Sequence, residues 1–135
     1  MRKKGNMIVT YPIVMIVCIF CIVIIGMFFI NSIIPFIWYQ KLNTTVQKYM
    51  FVVEKFGYLT SSEKNDLFNE LTAQGFESDK IKISVPSSPK SYGELVNLTV
   101  EYEYNLKNIV LNNLNVGYSN KIINLKVSKN SYSKV

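Results

Sequence analysis

The sequence predicts an α+β protein in which a long N-terminal transmembrane helix with an extension leads into a short helix and a three- to four-stranded antiparallel sheet. Three observations carry this. An uncharged run from Ile8 to Tyr39 separates Lys4 from Lys41. Apolar residues then recur at spacings of three and four as far as Phe56, and from Lys80 onward the period falls to two.

The most apolar part of the run follows Pro12 and ends at Ile34. Its length is about 22 residues, or about 33 Å of helix, against a hydrocarbon layer about 30 Å thick. One crossing of a lipid bilayer is the expectation. Tyr11 stands at one edge, and Phe36, Trp38 and Tyr39 at the other; Tyr11, Trp38 and Tyr39 are the expected membrane-interface anchors, since amphipathic rings settle at headgroup level. Arg2, Lys3 and Lys4, with no acid among them, set the topology. The N-terminus is expected in the cytoplasm and the C-terminal part outside the cell membrane. A secretory signal peptide has a shorter apolar region and a small-residue cleavage site, whereas the one alanine here is Ala73. The helix is therefore expected to persist as an anchor.

Pro12 is best tolerated in a first helical turn, so the helix is expected to begin near Thr10 with that hydroxyl as cap; a start at Met7 is the alternative. Pro35, which lacks an amide hydrogen, is expected to interrupt the helix with a kink. Beyond it, Tyr39, Leu42, Val46, Tyr49, Val53 and Phe56 share one face. That stripe packs either on the chain's own outer domain, which is the preferred reading, or on neighbouring copies. Gly57 ends the helix.

Thr60-Ser-Ser-Glu63 reads as a capping box, Leu67, Phe68 and Leu71 as a narrow apolar face, and Gly75 as the left-handed stop. A first strand is expected from Lys80 to Val85, closed by the loop Pro86-Ser-Ser-Pro89. The clearest strand runs from Glu94 to Leu106, with Val96, Leu98, Val100, Tyr102, Tyr104 and Leu106 on one side and Asn97, Thr99, Glu101, Glu103 and Asn105 on the other. Such alternation means one buried and one wet face. Ile109 to Val116, ended by Gly117, reads as a further strand, Lys121 to Ser128 as the last, and Asn130 to Val135 as a frayed tail. The domains are thus a basic leader over 1–6, the transmembrane helix and its extension over 7–57, and a small extracytoplasmic α+β domain over 58–135.

Composition narrows the function. Half of the net charge of +6 sits in the leader, which leaves too dilute a surface for a nucleic-acid partner and suits anionic lipid headgroups or a wall polymer. The chain has no histidine, the commonest general base and metal ligand. Cys18 and Cys21 are spaced C-x-x-C but lie in the apolar run, where no cation lowers a thiol's pKa. They read as small helix residues. Glu101 and Glu103, two apart on one strand, could be imagined as an acid/base pair and read instead as a solvated face. The sequons Asn43-Thr-Thr45 and Asn97-Leu-Thr99 are too short a pattern to assign a function. No catalytic residue, cofactor or metal site is predicted, and the protein is not expected to be an enzyme.

The order of parts carries a resemblance. The leader ending in Gly5, the apolar helix, its extension Ile37-WYQKLNT-Thr44 and the strand Val96-NLTVEYEY-Tyr104 resemble the type IV pilin-like proteins, and most closely the TadE-like pseudopilins and related membrane proteins of Gram-positive mobile elements. The resemblance implies a pilin-like fold and a subunit of a surface filament, secretion or conjugation apparatus, with other pilin-like subunits as partners. It also implies a prepilin-type peptidase cutting between Gly5 and Asn6. The family's glutamate at the fifth mature position falls here on Thr10, which brings no charge. An anchored, uncut module that binds the cell wall or a partner protein is the alternative.

Overall fold

The computed structural model describes the backbone of residues 3–112 and 115–135, and the side chains of 9–108, 110 and 117–135. The elements are α1 (Lys3–Phe56), α2 (Ser61–Ala73), a 3₁₀ turn (Ser78–Lys80), β1 (Ile81–Ser84), β2 (Leu95–Asn112) and β3 (Asn115–Tyr132). The three strands form one antiparallel sheet in the order β1-β2-β3. Two compact units divide the chain, Met1–Ile34 and Pro35–Val135.

In the first unit, every side chain from Val9 to Ile25 is exposed. Among the described residues, α1 is the one helix long and apolar enough to cross a membrane. The helix is already formed at the first described residue, Lys3, so Pro12 lies in its interior and neither Thr10 nor Met7 is its start. It also runs through Pro35 without a break. A proline removes one backbone bond and crowds the carbonyl four residues back, but the bonded turns on either side hold the helical dihedrals. Where no water is at hand, an open backbone would leave more groups unsatisfied than the helix does.

The division at Pro35 makes the second part of α1 the core helix of the second unit. Leu42, Val46, Met50 and Val53 are fully or almost fully buried, and Tyr49 is nearly so. Each such aliphatic side chain contributes about 1.5–3 kcal/mol by leaving water. They meet Leu67, Leu71 and Phe76 and the inward row Val96, Leu98, Val100 and Tyr102 of β2 with Leu125 and Val127 of β3. The stripe therefore packs on its own sheet. Its outermost members, Tyr39 and Phe56, stay exposed.

Gly57 stops α1 at φ +76°, and Gly75 follows α2 at φ +99°, a region that residues with a Cβ rarely adopt. The Glu63 amide donates to the Thr60 hydroxyl at 3.2 Å and the Thr60 amide to the Glu63 carboxylate at 2.9 Å, so the capping box is present.

Among the described residues the sheet has three strands, and its second and third are longer than their patterns suggest. Residues 109–112 continue β2 rather than opening a new strand, and Gly117 lies within β3 opposite Val110. Residues 113–114 lie outside the described residues. The expected tail is also corrected: Asn130 to Tyr132 belong to β3, and Ser133 is buried. Its amide donates to the Glu94 carbonyl at 2.9 Å and its carbonyl accepts from Gly93 at 2.9 Å, prolonging the ladder past the last assigned pair.

Candidate functional site

Two surfaces of the second unit hold side chains that could meet a partner: a groove between α1 and α2, and the wet face of the sheet.

The groove starts from helix periodicity. Gln40, Lys41, Thr44 and Lys48 lie off the buried stripe of α1, and α2 presents Glu70 and Gln74 towards them. Phe36 and Ile37 form its apolar end, 59% and 48% exposed. The groove is open to solvent and has a volume of about 560 Å³.

A polar network closes one wall. The Lys48 ammonium donates to Glu70 at 2.8 Å and the Tyr49 hydroxyl donates to the same oxygen at 3.1 Å. Burial, reinforced by the Glu70 hydrogen bond, pushes the Tyr49 phenol up to about 12, because both act against the phenolate. Gln74 Nε2 donates to Thr45 Oγ1 at 2.9 Å, which satisfies one of the few buried polar side chains of the helix face. These groups hold α2 against α1.

At the other end of the helix face, Lys41 Nζ stands 4.9 Å from the Trp38 ring centroid. Trp38, expected from sequence at headgroup level, packs by its ring inside the second unit. Its centroid is 4.9 Å from that of Phe76, edge-on, and 5.7 Å from that of Tyr104. A Cβ added at Gly75 would lie 3.3 Å from the Trp38 ring, so this glycine both ends α2 and admits the indole. Tyr39 is partly exposed and Tyr11 strongly so.

On the wet face, Glu101 lies opposite both Lys82 of β1 and Lys126 of β3. Lys126 Nζ is 2.9 Å from Glu101 and Lys82 Nζ is 3.3 Å from Glu103. The Lys126 hydrogen bond holds the Glu101 carboxyl below the usual carboxylate range. Each glutamate thus has its own lysine. The hollow above them is about 270 Å³.

Lys3, Lys4, Gly5 and Asn6 lie in the first turns of α1; Arg2 lies outside the described residues. Cys18 and Cys21 are free thiols on the exposed helix. No group of three metal-ligating side chains occurs among the described residues. Sequence reasoning passed over Thr45, Glu70 and Gln74. For Thr45 a signal exists, because it stands three residues after Leu42 and four before Tyr49, on the buried stripe. Glu70 and Gln74 have no such signal, since their role depends on where α2 docks.

Searches against protein-family models, curated proteins and solved structures give no match to this chain.

Proposed function

We propose that the chain is a non-enzymatic, single-pass membrane-anchored subunit of pilin-like type. Its second unit stands on the extracytoplasmic side and serves a surface filament, secretion or conjugation apparatus. The observation that carries this reading is the double use of α1. Its first part is apolar, with every side chain from Val9 to Ile25 exposed, and its second part is the core of an α+β unit. A helix hydrophobic all round requires a lipid or protein environment, and in lipid such helices associate through close packing of smooth faces. The first part would be anchor and packing surface together.

Mass spectrometry of the protein extracted from membranes tests the pilin-like part. The expected product begins at Asn6, the result of cutting after Gly5. A chain that retains Met1 or Arg2 contradicts pilin-type processing.

Thr10 favours a second reading. It stands where the resembled family has a glutamate, and a hydroxyl supplies no charge to meet a neighbour's amino terminus. On this reading the chain stays uncut, and its outer unit binds the cell wall or a partner protein. Restoring the acid with Thr10→Glu increases assembly if a charge is what assembly lacks.

A further inference from the structure

We infer that the groove beside Trp38 is a binding site for the headgroup of an anionic phospholipid, with the lipid's glycerol and first acyl carbons on Phe36 and Ile37 and its phosphate on Lys41. The inference rests on the membrane-anchored reading above.

Position along the helix supports it first. Phe36 and Ile37 follow Ile34 by two and three residues, about 3 and 5 Å beyond the apolar segment, and Lys41 follows by about 10 Å. The headgroup layer on each side of a bilayer is about 5–8 Å thick, so a lysine at Lys41 reaches it by extending along the apolar surface. Lys48 stands seven residues further along α1 and is already paired with Glu70.

Charge supports it next. Among the described residues Lys41 makes no ion pair and stands over the Trp38 ring at 4.9 Å. Lys48 is bound to Glu70 at 2.8 Å, and Glu70 also accepts from Tyr49. The acid on the rim is therefore neutralised locally, while the cation nearest the apolar end is available. Gln40 and Thr44, which also line the groove, offer donors to further phosphate oxygens. Phe36 and Ile37, large apolar side chains left exposed within their own unit, match the part of a lipid adjoining its phosphate.

Trp38 is the single tryptophan of the chain and lies 4.9 Å from Lys41 Nζ, so its emission reports a change around that ammonium. The full chain in uncharged detergent micelles would be titrated with dihexanoyl phosphatidylglycerol, with dihexanoyl phosphatidylcholine and with inorganic phosphate. The expected result is a saturable change with phosphatidylglycerol, at a midpoint about fivefold or more below that of the other two probes, as one lysine near a lipid surface provides. Lys41→Gln raises that midpoint about fivefold, and Lys48→Gln leaves it within about twofold. Equal midpoints for the two lipids overturn the inference, as does an equal response to inorganic phosphate. An unchanged midpoint in Lys41→Gln also overturns it. Alkaline carbonate extraction of membranes tests the anchor separately: a chain that washes off refutes the anchor whatever the titration gives, and a chain that resists while the titration fails refutes the lipid site alone.

Discussion

Lys134 grips Glu54 twice: its amide donates to the Glu54 carbonyl at 2.9 Å, and its ammonium meets the Glu54 carboxylate at 2.9 Å. The residues after β3 are thereby fastened to the last turns of α1. The hydrogen bond from Lys134, followed by one from Ser131, holds the Glu54 carboxyl below its ordinary value. A carboxyl lowered by folding contributes stability that is present above its unfolded pKa and is lost as pH falls through its folded pKa. Stability should therefore fall as the solution is acidified from the ordinary carboxylate range downward. Melting curves of the detergent-solubilised chain against pH check this, and Glu54→Gln should lower stability at neutral pH and flatten the acid limb.

The alkaline side has a separate origin. Tyr49 is raised to about 12 by burial and by Glu70, so its contribution is complete below the unfolded value near 10. It is lost as pH rises through about 12. Tyr49→Phe should remove that decline, as followed by circular dichroism between the two values.

Leu42 is fully buried, while Tyr39, three residues earlier, remains 39% exposed. Leu42→Ala should destabilise the second unit by about 2–5 kcal/mol, the range for truncating a packed leucine. Tyr39→Ser should stay within about 0.5 kcal/mol, as expected of a surface change. Denaturant unfolding followed at Trp38 distinguishes them.

Much of this packing is legible in the sequence. The alternation of Val96 to Leu106 and the spacing Leu42, Val46, Tyr49, Val53 are consequences of burying one face of a strand or helix, and a single side chain cannot depart from them without cost. Strand ends are another matter. Residues 109–112 continue β2 only because β3 lies alongside in register, Val110 opposite Gly117 and Asn112 opposite Asn115; that pairing is long-range and leaves little mark on local pattern. The same holds for Asn130 to Ser133, whose polar sequence reads as a tail yet completes the ladder. The proline signals misplaced the helix boundaries for a related reason: Pro12 and Pro35 each remove one helical bond, and cooperativity across many turns keeps α1 continuous. The groove was the least legible feature, because Glu70 and Gln74 reach Lys48 and Thr45 across more than twenty residues.

Gly57 is required on two grounds. Its φ is +76°, and a Cβ there would stand 2.7 Å from the Lys90 carbonyl oxygen and 3.1 Å from Ser133 Oγ. Gly57→Ala should cost about 1–3 kcal/mol from backbone strain alone. Because the clash is with backbone, the loop at Lys90 must shift as well, and hydrogen exchange at Gly93 and Ser133 should quicken together.

The central claim is that the apolar part of α1 crosses a bilayer and leaves the second unit outside. Labelling of intact cells with a membrane-impermeant maleimide tests it most directly, in a Cys18→Ser, Cys21→Ser background. Tyr92 is 79% exposed, so Tyr92→Cys should label on intact cells, whereas Lys4→Cys should label only after permeabilisation. Labelling of Lys4→Cys on intact cells, with Tyr92→Cys protected until the membrane is opened, would contradict the account.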